Sequence, residues 1–308
     1  MGTGEEQYLR KAFGEAKGTF YGNQSFFGYY RKVYAYNQTL PVQDRIHFIS
    51  IDVEHQYKFT HALLSGMLTR YVEKTKDTCS FIKLFYRLDP EKNGNYKDAY
   101  FRYWHAFTKD SSALRQKPVL PYDTISYLIR NVNYKFLANA DKKDLARDSL
   151  MYENFKTRSK EFDLQQGKIF GFMGIDHCYQ DGDTKKRYFA FFIPKSTFRT
   201  TSLIMLYSNC STLVPAFYIP KPFRFLWGNA RYIKTSWRSN DKPLEYQKFI
   251  GILKEAAPTN LTLFKLNNAG SPFAKRHLFV DDLGSDKPTN NYMQYILLVR
   301  NSPAANPL

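Results

Sequence analysis

The spacing of apolar residues divides the chain into a helical first half and a second half of short strands. In the first forty residues, apolar side chains recur every three or four positions, which predicts amphipathic helix ending near Pro41. Helical spacing returns at residue 57 and continues to about residue 160, including a helix over Asp141–Arg158. Beyond residue 188, short aromatic or β-branched runs alternate with turn residues, which is typical of strands.

Two apolar runs break the helical pattern. Ile46–Val53 and Lys168–Met173 lack strict alternation, which favours strands covered on both faces, as in parallel sheets. We therefore expect an α/β fold: a partly parallel sheet with a large helical insertion at residues 56–160 and a strand-rich part at residues 168–308, in a single domain over residues 1–308. Further strands are predicted at Tyr188–Ile193, Ser202–Tyr207, Leu213–Ile219, Leu261–Leu266 and Tyr292–Val299.

Composition indicates a globular protein. Of 308 residues, 43% are hydrophobic and 17% aromatic, enough for a large core. No run approaches the roughly 18 to 20 apolar residues of a membrane helix, and the start is unlike a signal peptide, so we expect no membrane partner. The compartment stays open: cytoplasmic by default, extracytoplasmic if the natural start lies upstream. Cys79, Cys178 and Cys210 lie far apart, which predicts neither a disulfide framework nor a metal knuckle, and no cofactor is expected.

The strong positive charge raises the question of nucleic acid. Lys and Arg number 45 against 28 Asp and Glu, a net charge of +17. The cations are nevertheless scattered, since the densest clusters are Lys142-Lys143 and Lys185-Lys186-Arg187, and no RNA-binding motif accompanies them. We interpret them mainly as a solvated surface and do not expect nucleic acid as the partner.

Acidic residues and histidines follow both predicted parallel strands. Asp52, Glu54 and His55 come after the first, and Asp176 and His177 after the second. Sites form in the crevice at the carboxyl ends of such strands, where a histidine beside an acid can serve as a general base. The alternatives are that the histidines are structural, or that His55 simply opens the next helix. A metal site from these residues lacks the usual ligand spacing.

One helix face mixes charge with apolar side chains. Arg147, Leu150, Met151 and Asn154 lie at helical positions i, i+3, i+4 and i+7. An inward arginine needs an acidic partner, because an unpaired buried charge is costly, and Asp52 or Asp176 could supply it. Arg147 is then either a strut between helix and sheet or a group that holds a substrate oxyanion or carboxylate.

The same residues resemble a known family. Ala146–Phe155, then Gly167–Gly171 and Gly174–His177, are similar to the Arg-Asp-x-x-Met-x-x-Asn helix and the strand ending in His of the erythromycin esterase-like proteins. Tyr34–Asn37 and Ile49–Glu54 resemble the family's Tyr-x-Asn helix end and Gly-x-Asp strand. No nucleophile elbow, P-loop or dinucleotide fingerprint occurs.

The resemblance implies an α/β fold and a hydrolase that activates water to open ester or lactone bonds without a covalent intermediate, using paired histidines and glutamates. It makes His177 the catalytic base, matching the family's second essential histidine, and Asp52 and Arg147 structural or site-lining positions. Glu54, His55 and Asp176 are further candidates to line the site. The implied partner is a small-molecule ester or an anionic ligand.

The chain departs from the family near its start. The family's Gly-Glu-x-x-His-Gly segment lies well before the Tyr-x-Asn helix, whereas Gly14–Gly18 has Lys17 where the imidazole is needed. We therefore expect an N-terminally truncated domain, incomplete and of reduced or absent activity, whose unpaired strand edges invite self-association. Two other hypotheses stay open: a non-catalytic ligand-binding protein on the same scaffold, and a basic nucleic-acid-binding protein.

Overall fold

The computed structural model of the chain describes residues 6–55, 57–88, 96–117, 119–140, 145–181, 187–228, 230–236, 250–278 and 287–308. It is a mixed α/β structure, 54% helical and 10% strand, which confirms the expected fold class. Its helices are α1 (Glu6–Glu15), α2 (Gln24–Gln38), α3 (Tyr57–Thr75), α4 (Ser80–Phe85), α5 (Tyr96–Lys109), α6 (Ser111–Arg115), α7 (Tyr122–Ala140), α8 (Leu145–Glu161), α9 (Phe189–Phe192), α10 (Ile250–Ala256) and α11 (Thr289–Tyr292). Its strands are β1 (Leu203–Ser208), β2 (Thr212–Pro215), β3 (Tyr232–Thr235), β4 (Leu261–Lys265) and β5 (Tyr295–Arg300).

The chain divides into two compact units. The helical unit comprises residues 51–172 and 186–198 and contains α3 to α9. The strand-bearing unit comprises residues 1–50, 173–185 and 199–308 and contains α1, α2, α10, α11 and the five described strands.

The helical unit is built around aromatic side chains presented at helical spacing. In α5, Tyr96, Tyr100, Tyr103 and Phe107 recur at intervals of four, three and four residues and are buried. The Tyr100 hydroxyl donates to the carbonyl of Ile129 on α7 at 2.6 Å, which satisfies its polar atom inside the core. The wider core adds Leu64, Leu68, Tyr71, Phe81, Ile82, Phe85, Leu114 and Ile125.

The strand-bearing unit contains a three-stranded mixed sheet in the order β1-β5-β4. β1 and β5 are parallel, with Leu203 opposite Tyr295 and Ser208 opposite Arg300, and β4 is antiparallel to β5. β2 and β3 form a separate antiparallel pair. Parallel pairing is therefore present, but it joins two strands that are far apart in the sequence and lie after residue 200.

The prediction of a buried strand at Ile46–Val53 was wrong. These residues lie in no strand, and Ile46 and Phe48 are 42% and 43% exposed. The buried side-chain amide of Asn37 donates to the carbonyl of Ile46 at 2.9 Å and accepts from its amide at 2.8 Å. A side chain at the end of α2 thus takes the backbone groups that a strand would offer to a neighbour.

The predicted strand Lys168–Met173 is also absent. Residues 167–174 are in neither helix nor strand, and Phe170 is 86% exposed. Within the described residues no strand pairs with this segment, so its apolar side chains have no sheet face to enter. The run is irregular and mostly exposed rather than covered on both faces.

Other elements differ in smaller ways. The expected strand at Tyr188–Ile193 contains α9, because the Asp148 carboxylate accepts the Phe189 amide at 2.7 Å and holds this helical turn. The expected strand Leu213–Ile219 is confirmed only as β2, since residues 216–218 form a 3₁₀ turn. The predicted start of α8 at residues 141–144 lies outside the described residues.

Candidate functional site

Asp52 and Arg147 meet in the helical unit, although 95 residues separate them in the sequence. Arg147 Nε donates to Asp52 Oδ1 at 3.0 Å, and Arg147 Nη2 donates to Asp52 Oδ2 at 2.6 Å. This is the bidentate geometry in which a planar guanidinium binds a carboxylate most strongly. Arg147 lies near the first turn of α8. Of the two acidic partners that the sequence offered, Asp52 and Asp176, it is Asp52 that binds Arg147.

His55 joins the same cluster. Its Nε2 lies 3.0 Å from Asp52 Oδ2 and 3.3 Å from Arg147 Nη2, and its ring is mostly exposed. Asp52 therefore lies between a cation and an imidazole. In the tautomer with the hydrogen on Nε2, the imidazole donates to Asp52 Oδ2 and its Nδ1 is the hydrogen-bond acceptor.

Two asparagines fix the backbone beneath the carboxylate. The fully buried Asn154 of α8 donates to the carbonyl of Ile51 at 3.1 Å and to the side-chain oxygen of Asn131 at 2.8 Å. Asn131 of α7 donates to the carbonyl of Asp52 at 3.2 Å. Because both helices hold this irregular segment, the position of Asp52 is determined by the tertiary fold.

The electrostatics of Asp52 are set by opposing effects. Burial alone would raise the pKa of Asp52, but the hydrogen bonds from His55 and Arg147, together with the nearby positive charge, outweigh it and hold the pKa well below its ordinary value. The carboxylate is therefore ionised throughout the neutral range. A charged Asp52 can orient the imidazole of His55 through the contact between Oδ2 and Nε2.

Glu54 and Lys135 flank this cluster. Glu54 accepts a hydrogen bond from the buried hydroxyl of Thr60, and Lys135 of α7 donates to the carbonyl of His55. Burial lowers the pKa of Lys135, while the charge of Glu54 acts in the opposite direction. Lys135 also lies 5.0 Å from the ring centre of Tyr57, a cation–π contact.

Sequence reasoning did not identify Asn131 or Lys135. Both are polar positions of α7, four residues apart on one face of a helix that is otherwise rich in apolar side chains. Two polar residues on the same face of an apolar helix were the sequence signal that could have pointed to this site. The signal becomes interpretable only once Asp52 and His55 are known to lie against that face of α7.

Asp176 and His177 lie in the other unit, in the 3₁₀ turn Ile175–Cys178. Asp176 is exposed, and the half-buried ring of His177 packs over Gly174, whose backbone carbonyl accepts the His177 amide at 3.2 Å. Neighbouring Cys178 has a raised pKa, because of burial and then the charge of Asp176. The structure thus brings Asp52, His55 and Arg147 together and places His177 in a turn of the strand-bearing unit.

The described residues contain neither a cluster of metal ligands nor a membrane-spanning helix. No cluster of three or more His, Cys, Asp or Glu side chains there could hold a metal ion. None of the described helices combines the length and hydrophobicity needed to span a bilayer. Two shallow pockets, one beside Lys234 and Pro303 and one beside Tyr152 and Phe198, include none of the predicted site residues.

Comparisons with known proteins give a fold likeness only. No protein-family model matches the sequence, and no curated protein does. A solved structure of a Bacillus cereus protein aligns with 93% of this chain and 74% of its own, at 12% identity and a TM-score of 0.55. A second Bacillus cereus structure, described as a succinoglycan biosynthesis protein, aligns with 99% of this chain and 78% of its own, at 13% identity and a TM-score of 0.55.

Proposed function

We propose that the chain is a hydrolase-like domain of the erythromycin esterase type, in which an imidazole activates water against an ester or lactone carbonyl. The observation that carries this proposal is the contact of α8 with the Asp52 segment. Arg147 and Asn154, the first and last residues of the Arg-Asp-x-x-Met-x-x-Asn pattern, bind the carboxylate of Asp52 and the carbonyl of Ile51. The Arg-Asp-x-x-Met-x-x-Asn helix and the segment Ile49–Glu54, which the resemblance picked out separately, are thus in direct contact.

The second residue of the motif has a separate task. Asp148 is 3% exposed and its carboxylate accepts the Phe189 amide, so it anchors α9 rather than facing Asp52. Adjacent arginine and aspartate side chains therefore fasten two different segments onto α8. Because these two adjacent side chains bind two different segments, we treat Arg147 and Asp148 as parts of one structural motif.

The proposed chemistry uses imidazoles as proton acceptors. His177 is the base assigned by the resemblance, and it accepts a proton from water as the water oxygen attacks the carbonyl carbon. As the tetrahedral intermediate collapses and the bond to the leaving oxygen breaks, the His177 imidazolium returns the proton to that oxygen, which gives an alcohol and a carboxylic acid from an ester, or a hydroxy acid from a lactone. His55, oriented by the ionised Asp52, is a second imidazole suited to the same task.

Exposed apolar segments support the expectation that the sheet of this domain is incomplete. Ile46 and Phe48 in one segment, and Ile169 and Phe170 in the other, are all more than two-fifths exposed in runs with the composition of buried strands. In a domain with an incomplete sheet, we expect the rate of ester hydrolysis to be low.

The non-catalytic alternative receives less support from the geometry. It needs Arg147 to hold an anionic ligand, yet two nitrogens of the guanidinium already bind Asp52. The pair is close to neutral, which weakens its attraction for a further anion. Retention of an ester or carboxylate ligand without turnover, lost in Arg147→Ala, would favour that alternative.

Hydrolysis of a panel of esters tests the proposal. Initial rates are measured with p-nitrophenyl butyrate and a macrocyclic lactone for the wild type, His177→Ala and His105→Ala. We expect His177→Ala to lower the rate by about 10²- to 10⁴-fold, because a positioned base is lost. His105 is an exposed residue of α5 and serves as the matched control. Equal rates in the wild type and His177→Ala would refute the proposal.

A further inference from the structure

An exposed aromatic loop lies in the strand-bearing unit, away from the residues assigned to hydrolysis. We call residues 216–227, which form two 3₁₀ turns between β2 and β3, the aromatic loop. Its large apolar side chains are turned outward: the exposed fractions are 55% for Phe217, 53% for Tyr218, 55% for Phe223, 75% for Phe225 and 60% for Leu226. Monomeric soluble proteins rarely expose so many large apolar groups together.

The loop is held in this shape by its own chain. Arg224 Nε donates to the carbonyl of Ile219 at 2.8 Å, and Arg224 Nη2 donates to the carbonyl of Phe217 at 2.7 Å. Pro220 and Pro222 restrict the backbone dihedrals further. Since the Arg224 guanidinium holds the two turns together by hydrogen bonds, the exposed rings belong to a defined loop conformation.

One more aromatic side chain, Phe20, extends the surface. The ring centres of Phe217 and Tyr218 are 4.2 Å apart, and the Phe20 ring is 5.0 Å from Tyr218. Tyr232 fixes the loop that carries Phe20, because its hydroxyl accepts the Gly18 amide at 2.7 Å and donates to the carbonyl of Gly22 at 2.9 Å. Two loops from distant parts of the sequence therefore share one apolar surface.

In the stretch of sequence that contains the aromatic loop, every Asp, Glu, Lys or Arg position is a Lys or an Arg. Residues 184–240 contain no Asp or Glu, whereas ten Lys and Arg residues occur there: Lys185, Lys186, Arg187, Lys195, Arg199, Lys221, Arg224, Arg231, Lys234 and Arg238. Among those in the strand-bearing unit, Arg199, Lys221, Arg231 and Lys234 are exposed. An anionic partner is favoured, and a second copy of this chain, with net charge +17, is disfavoured by repulsion.

We propose that the aromatic loop docks this protein on the surface of an anionic phospholipid bilayer. Exposed Phe and Leu side chains enter the interface between headgroups and acyl chains, and neighbouring Lys and Arg contact the anionic headgroups. Such docking needs no spanning helix. The expectation of no membrane partner rested on the lack of a spanning segment and of a signal peptide, and neither of these bears on docking at the bilayer surface.

A nucleic acid fits the loop less well. Bases stack on rings while nearby cations reach the phosphates, but Arg224 is occupied with two carbonyls of its own loop. Leu226 offers no ring for stacking, and large apolar side chains outnumber the one remaining cation of the loop, Lys221. The apolar character of the surface therefore favours lipid.

Vesicle sedimentation tests the proposal with the whole chain. We expect binding to vesicles of equal phosphatidylcholine and phosphatidylglycerol, weaker binding to phosphatidylcholine alone, and a decrease as salt is raised. Phe223→Ser/Phe225→Ser should lower the apparent affinity for the anionic vesicles at least tenfold. Tyr8→Ser/Tyr36→Ser, which removes two exposed rings from α1 and α2, is the matched control and should bind as the wild type does.

A second readout locates the contact. Introducing a fluorophore by Phe225→Trp should add tryptophan emission that lipids with brominated acyl chains quench. Absence of binding to the anionic vesicles, or full binding by Phe223→Ser/Phe225→Ser, overturns the proposal. The surface would instead be assigned to nucleic acid if the wild type binds a single-stranded oligonucleotide but not the vesicles, and if Phe223→Ser/Phe225→Ser loses the oligonucleotide binding.

Discussion

At Asp52, a single carboxylate binds a guanidinium, contacts an imidazole and accepts the amide of Val53 at 2.8 Å. The sequence could predict that Arg147 needs an acid, because burying its charge alone is costly. It could not choose between Asp52 and Asp176, since that choice depends on how α8 packs. Asn131 and Asn154 make the choice by holding the backbone of residues 51 and 52.

The low pKa of Asp52 predicts a pH-dependent contribution to stability. The contribution is fully present above the unfolded-state pKa of about 3.9 and is lost as the pH falls towards the lower pKa of the folded state. We expect Asp52→Asn to reduce the free energy of unfolding by about 1 to 2 kcal/mol at pH 7, allowing for partial exposure of the pair. The difference from the wild type should shrink below about pH 4. Urea unfolding at pH 7 and pH 3 measures it.

A surface ion pair supplies the control for that measurement. Glu153 lies 2.6 Å from Lys156, and both side chains are nearly half exposed. Glu153→Gln should change stability by less than about 0.5 kcal/mol at either pH. If Asp52→Asn behaves like this control, the pair with Arg147 does not stabilise the folded state.

At the scale of elements, periodicity predicted helices well where apolar faces are continuous. Leu64, Leu68 and Tyr71 of α3 recur at helical spacing and pack into one core with α5, so local pattern and tertiary packing agree. The strands expected at Ile46–Val53 and Lys168–Met173 have strand composition too, but a strand also needs a neighbour. The short strand β3 was missed, because Tyr232–Thr235 carries too few apolar residues to signal it.

The asparagines that join α7 and α8 should act as a unit. Asn154→Ala leaves the carbonyl of Ile51 without this donor inside the helical unit, and we expect a loss of about 1 to 3 kcal/mol in the free energy of unfolding. Asn131→Ala removes the acceptor of Asn154 and the donor to Asp52. A double-mutant cycle should give a coupling of at least about 0.5 kcal/mol. Strictly additive effects would show that the network does not hold α7, α8 and the Asp52 segment together.

At the scale of the whole molecule, exposed apolar groups coexist with a net charge of +17. The charge keeps copies apart at low salt, while exposed segments favour association once the charge is screened. The composition predicted a basic globular protein, and the apolar patterning predicted its mixed class. It could not predict which rings stay outside the core, because that depends on which neighbours each segment finds.

Self-association should therefore depend on salt and on residues 168–172. We expect the sedimentation coefficient of the wild type to rise with protein concentration at high salt, as extended apolar segments pair between copies. Phe170→Ser should reduce this association, since Phe170 is 86% exposed. Tyr36→Ser, at 56% exposed, is the control. A concentration-independent wild type, or no difference between the two variants, would exclude pairing through this segment.

Chemical rescue tests most directly whether an imidazole of this chain activates water. The rate of ester hydrolysis is measured for His177→Gly with and without imidazole added to the buffer, beside His105→Gly. We expect His177→Gly to be about 10²- to 10⁴-fold slower than the wild type, and we expect added imidazole to restore part of the rate beyond the buffer reaction. A His177→Gly variant as fast as the wild type, or one whose lost rate imidazole does not restore, would contradict it.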